Sequence, residues 1–81
     1  MGWFVYILEC SDRTLYVGVT NDVAKRVAAH ECGKGARYTR GRAPLVVRHV
    51  EEVATRADAQ KREAAIRKLS RAKKLALFSD A

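Results

Sequence analysis

The chain predicts a small α+β fold: a three-stranded, mostly antiparallel or mixed sheet covered by helices, in the order β-β-α-β-α-α. Runs rich in aromatic and β-branched residues lie at 3–10, 15–19 and 45–51, each bounded by turn or capping residues. Segments between and after them carry helical apolar spacing and open on Asp, Thr or Ser. At 81 residues, nearly half of them hydrophobic, one domain is expected, frayed over its last few residues.

Residues 3–10 (WFVYILEC) are apolar on both alternating faces, so this strand is expected at the sheet centre, covered on both sides. Ser11-Asp12-Arg13-Thr14 has turn composition, and 15–19 (LYVGV) return as the second strand of a hairpin. An odd number of loop residues puts Tyr6 and Tyr16 on one face and an even number separates them; the sequence leaves the count open. Thr20-Asn21-Asp22 supplies N-caps to a helix reaching about Glu31, with Val23 and Val27 as its core stripe. Gly33-Lys34-Gly35 ends that helix, and a basic loop follows through Pro44. The third strand is expected at 45–51 (LVVRHVE). Thr55 caps a long helix to about Leu69, and Ser70 caps a short last one whose Leu75, Leu77 and Phe78 fold back onto the core.

The longest apolar run, Trp3 to Leu8, is too short to span a membrane, and no secretion signal opens the chain. A cytoplasmic location is expected. Cys10 and Cys32 lack C-x-x-C spacing and read as buried or idle thiols. Sixteen Lys and Arg against nine Asp and Glu give a net charge of +7, a strong field favouring polyanions. The charge is patchy. Lys34, Arg37, Arg40, Arg42 and Arg48 follow one another without an acidic residue, and the segment from Arg56 to Lys74 is basic apart from Asp58 and Glu63. A phosphate-binding face has this distribution, and nucleic acid is the expected partner.

Three features point beyond a passive module. Tyr6 and Tyr16 lie on neighbouring strands, where tyrosine also serves packing; a phenol works as a base only if positive charge lowers its pKa of ~10. Arg26 and His30 are one helical turn apart and flank the valine stripe, at the edge of the core where a cleft can form. A boundary histidine and a solvated arginine are the plain alternative. Glu63 falls within the apolar stripe of Ala59, Ile66 and Leu69, so it calls for a cation or a metal as partner, a structural salt bridge being the simpler choice. Glu51, Glu52 and Asp58 read as exposed and carry no such signal.

Phe4-Val5-Tyr6, Tyr16-Val17-Gly18 ten residues on, Arg26, His30 and Glu63 together resemble the pattern of the GIY-YIG nuclease superfamily. VYIL, LYVGVT, N-D-x-x-x-R-x-x-x-H and G-K-G-A-R-Y-T fit as well, and the likeness is to its small stand-alone bacterial members, over about residues 3–75. The resemblance implies a three-stranded antiparallel sheet flanked by helices and an endonuclease dependent on Mg2+ or Mn2+, with no other cofactor. It implies that Tyr6 activates water, Tyr16 orients water and phosphate, and Gly18 leaves room beside the strand. Arg26 then stabilises the pentacovalent phosphate, His30 assists proton transfer or binds phosphate, and Glu63 holds the metal. Two departures stand out: Phe4-Val5 replaces the leading Gly-Ile pair, and the only asparagine is Asn21, whereas several superfamily nucleases use a late one near the metal. Without an attached recognition domain, DNA is expected to be gripped by its phosphates, through Lys34, Arg37, Arg40, Arg42, Lys61, Arg67 and Lys68. Little sequence specificity follows, with structured or single-stranded DNA as substrate and a monomer or weak dimer as the working form. The alternative is a non-catalytic nucleic-acid-binding module of the same fold; an interaction protein docking on an acidic partner is a third.

Overall fold

The computed structural model describes residues 2–32 and 44–78. The elements are β1 (Trp3–Glu9), β2 (Leu15–Thr20), α1 (Val23–Glu31), β3 (Val46–Val53), α2 (Arg56–Arg67) and α3 (Arg71–Ala76). The three strands form one antiparallel sheet in the order β2-β1-β3. Hence β1 is central, as its two apolar faces require, and Val5 to Leu8 are buried one after another.

The hairpin resolves what the sequence leaves open. Glu9 pairs with Leu15, so the odd run 10–14 lies between them, and Tyr6 and Tyr16 share a face. The turn is closed by Arg13 N–H donating to the Cys10 carbonyl and Cys10 N–H to the Thr14 carbonyl, each at 2.9 Å. Asp12 Oδ1 accepts from the Thr14 hydroxyl at 2.6 Å, and Arg13 takes the left-handed conformation (φ 71°) needed by the three-residue loop 11–13 that the Cys10–Thr14 bond encloses.

Strand alternation divides the core in two. Val5, Ile7 and Val17 face α2, where Ala59 and Ile66 are fully buried, and Leu77 and Phe78 pack against this cluster from beyond α3. Tyr6, Leu8 and Cys10 face the other way with Leu45, and Tyr16 and Val27 of α1 pack on them. Cys10 thus behaves as a small core hydrophobe, while Cys32 is an exposed free thiol. The expected α1 stripe needs correction: Val23 and Val27 are only half-buried, and the fully buried residue of α1 is His30. The two tyrosine rings take up the sheet face beneath α1, so the helix seats an imidazole between them and leaves the valines at the margin.

The helices start where predicted. Asp22 accepts from Lys25 N–H, Thr55 from Asp58 N–H and Ser70 from Lys73 N–H, each satisfying an otherwise orphaned donor. β3 runs two residues beyond the expected Glu51, to Val53, because Glu51 and Glu52 continue the ladder opposite Val5 and Phe4. Glu51 also departs from its expected exposure. It lies on the α2 face, where Arg62 grips it in bidentate fashion (Nε–Oε1 2.7 Å, Nη2–Oε2 3.0 Å) and His49 Nε2 stands 2.7 Å from Oε2. The Arg62 bond holds its carboxyl below the ordinary 4.5 against the opposing effect of burial, and His49 adds to the depression. Charge-assisted bonds of this kind, partly open to water, are worth about 1–2 kcal/mol. Glu51→Gln is therefore expected to lose about that much stability at neutral pH in urea unfolding. Since the folded pKa is depressed, the difference between variant and wild type is present above pH 4.5 and closes as pH falls through the lower folded value.

Candidate active site

Tyr6 stands on the central strand opposite Gly18 of edge strand β2. Its phenol lies across that glycine. A Cβ at position 18 would stand 2.5 Å from the Tyr6 hydroxyl oxygen, 2.6 Å from its Cζ and 2.9 Å from Tyr16 Cε2. Only a residue without a side chain leaves this path open, so the hydroxyl of a central-strand residue reaches the edge of the sheet. The Tyr16 ring lies 6.3 Å from that of Tyr6, and the His30 ring 5.2 Å from that of Tyr16. His30 Nε2 is 3.0 Å from the Tyr6 hydroxyl, a buried bond between α1 and β1. Arg26, one turn earlier on α1, acts on the Tyr6 phenol by hydrogen bonding and charge that favour its ionised form. Arg26 lies at the edge of the core as its spacing implies, whereas His30, expected there too, is buried.

These contacts set the electrostatics. Burial pushes the Tyr6 phenol above the usual tyrosine value, and the Arg26 bond works against that rise. Burial also lowers His30 below its ordinary 6.5, with the Arg26 charge second, so the imidazole is neutral at pH 7. In the tautomer that leaves Nε2 unprotonated, the phenol donates to the ring.

Glu63 approaches from a different element. α2 covers the sheet face opposite α1, yet the Glu63 charge reaches Tyr6 and adds to the elevation of its pKa, after burial and the neighbouring Tyr16. The path runs around the β2 edge, where Arg67 Nη2 comes within 3.4 Å of the Val17 carbonyl. Glu63 has the cationic partner its position calls for: Arg67, one turn on, at 3.3 Å. That arginine side chain is 57% exposed, and such a pair contributes only about 0.3–0.5 kcal/mol, so the carboxylate is not committed to it.

The sequence model of the GIY-YIG catalytic domain matches residues 2–76, nearly all of this framework. This chain belongs to the GIY-YIG family. A UPF0213 protein of Halobacterium salinarum is 54% identical over 74 residues, covering 91% of this chain and 96% of the relative. One of Natronomonas pharaonis is 49% identical, covering 95% and 91%. Among solved structures, the UPF0213 protein of Bacillus halodurans matches with a TM-score of 0.60 at 43% identity, covering 95% of this chain and 82% of that one. A protein from E. faecalis matches with a TM-score of 0.64 at 39% identity, covering 91% and 79%. The GIY-YIG family is one of endonucleases, whose substrate is nucleic acid.

Tyr6, Tyr16, Arg26 and His30 of the GIY-YIG pattern thus converge, and of these only Tyr6 carries an influence of the Glu63 charge, the smallest of those acting on it. Lys34, Arg37, Arg40 and Arg42 lie outside the described residues. Lys61, Arg67 and Lys68 are exposed on or just after α2, and only Arg67 adjoins the tyrosine cluster, lining a groove with Tyr16. Among the described residues no three His, Cys, Asp or Glu stand together as metal ligands, and no helix is long and apolar enough to cross a membrane.

Proposed function

We propose that this chain is a divalent-metal-dependent endonuclease that hydrolyses DNA phosphodiester bonds with little sequence specificity. One observation carries the reading: the Tyr6 hydroxyl, extended over Gly18 to the sheet edge, is bonded to a neutral imidazole while the Arg26 charge acts on it. A satisfied structural tyrosine needs one partner, whereas a proton relay needs an acceptor behind the phenol and a cation beside it. In the reaction, water attacks phosphorus and gives its proton to the Tyr6 oxygen while the phenolic proton passes to His30 Nε2. Arg26 donates to a non-bridging oxygen as charge builds there, and the phosphorus–oxygen bond to the leaving group breaks. Tyr16 orients the water and the phosphate. Glu63 is the residue that would hold Mg2+ or Mn2+, an arrangement suited to ions that bind through one carboxylate, waters and phosphate oxygens. When bound, the ion supplies charge neutralisation at the phosphate and the leaving oxygen.

The second reading, a module that holds nucleic acid without cutting it, draws support from the raised pKa of Tyr6, which disfavours the phenolate. One experiment separates the two. End-labelled DNA incubated with the protein is expected to be cut only with magnesium or manganese, and Glu63→Ala to abolish the cleavage. Intact DNA under all metals, with Glu63→Ala binding as well as wild type or better, would leave the binding module.

A further inference from the structure

We infer that the groove along the β2 edge is a track for one strand of nucleic acid, leading a single phosphodiester chain to the tyrosine cluster; this rests on the nuclease reading above. Two adjoining cavities, about 310 and 210 Å3, share Leu15 and Lys74 and so form one trough. Leu15 and Tyr16 of β2 line one side, and Arg67 of α2 with Arg71 and Lys74 of α3 line the other. Acidic side chains are absent from the described lining, and neither Arg71 nor Lys74 pairs with a carboxylate among the described residues. An aromatic and aliphatic side facing a row of cations, of which only Arg67 has a carboxylate partner among the described residues, is how single strands are held: bases stack on the one while phosphates meet the other.

The inner end of the trough joins the site. Arg67 touches both the Val17 carbonyl and Glu63, and the Tyr16 ring contacts those of His30 and Tyr6. A strand laid along Arg71, Lys74 and Arg67 would therefore bring its next phosphate between Tyr16 and Glu63. The cation run from Arg67 to Lys74 is plain in the sequence, but its relation to Tyr16 depends on the turn between α2 and α3.

The test is binding of a labelled oligothymidylate without divalent metal, titrated at several salt concentrations, for R71A/K74A against R56A/K73A. The second pair removes the same charge, one Arg and one Lys, from α2 and α3 at exposed positions lining neither cavity. R71A/K74A is expected to weaken binding about tenfold or more and to reduce the salt slope by about 1.4, two phosphate contacts at ~0.7 each. R56A/K73A is expected to weaken it less than threefold, and a blunt duplex to lose less than the single strand with either pair. R71Q/K74Q, which retains side-chain length, guards against a folding defect and is expected to behave as R71A/K74A. Equal losses for the two pairs, or a duplex weakened as much as the strand, would overturn the track. Selective loss in R71A/K74A from a protein that cuts nothing would retain the track and remove the nuclease reading. Unchanged binding in R71A/K74A with metal-dependent cleavage intact would do the reverse.

Discussion

Alanine at Arg26 is expected to slow phosphodiester hydrolysis by about 10³-fold or more, the scale on which a cation at a transferring phosphate contributes. Two effects act together in the proposed site. The variant loses the guanidinium that meets the developing charge, and it loses the bond and charge that oppose the elevation of Tyr6. The relay is then weakened at the same time as the phosphate loses its cation. A pH–rate profile separates this from a folding defect. His30 lies below 6.5 first through burial and second through the Arg26 charge, so wild-type activity falls only as pH drops below that value. Removing the arginine relieves part of the depression, so the acid limb of Arg26→Ala is expected at higher pH. NMR titration of His30 reads the same shift without any turnover. An unchanged His30 titration, or a rate within tenfold of wild type, would place Arg26 outside the chemistry.

Gly18→Ala is the second large effect, and it comes from a residue with no chemistry of its own. The added methyl would fall 2.5 Å from the Tyr6 oxygen and 2.9 Å from Tyr16, so both rings must give way. Tyr6 is held from beneath by its strand and from above by His30, so its movement breaks the 3.0 Å bond or displaces α1. A misplacement of about 1 Å at a reacting group costs on the order of 10²-fold in rate, and overpacking a buried site costs about 1–3 kcal/mol in stability. Both are expected, measured as cleavage rate and urea midpoint. The double variant Tyr6→Phe with Gly18→Ala is expected to cut more slowly than Tyr6→Phe alone, because the methyl still displaces Tyr16. Wild-type cleavage in Gly18→Ala would show that Tyr6 need not lie across the glycine.

The strands and the helix starts were readable because each rests on local chemistry: β-branched and aromatic runs for β1 and β2, side-chain caps at Asp22, Thr55 and Ser70. Even the strangeness of Glu63 was local, an acid inside an apolar stripe. What escaped were distances through space. Glu51 looked like an ordinary surface acid because its partner, Arg62, lies on the next helix and meets it only when α2 packs on the sheet. His30 looked like a boundary residue because helical periodicity measures the angle around α1 and not what lies beneath it. Arg71 and Lys74 were part of a cation run and nothing more until the turn after α2 set them beside Leu15 at the β2 edge.

By itself the sequence determined the elements, their order and the residue types with chemical potential, since periodicity, capping and charge are properties of neighbours along the chain. Tertiary structure alone decided that an odd hairpin count puts two tyrosines on one face and that the Tyr6 phenol crosses a bare glycine to the sheet edge. It also decided that Glu63, on the helix of the opposite layer, meets Arg67 where that arginine reaches the Val17 carbonyl of the edge strand. The reason is one of scale. A side chain's reach exceeds the spacing of adjacent strands, so which groups meet depends on register and packing, which no local pattern encodes.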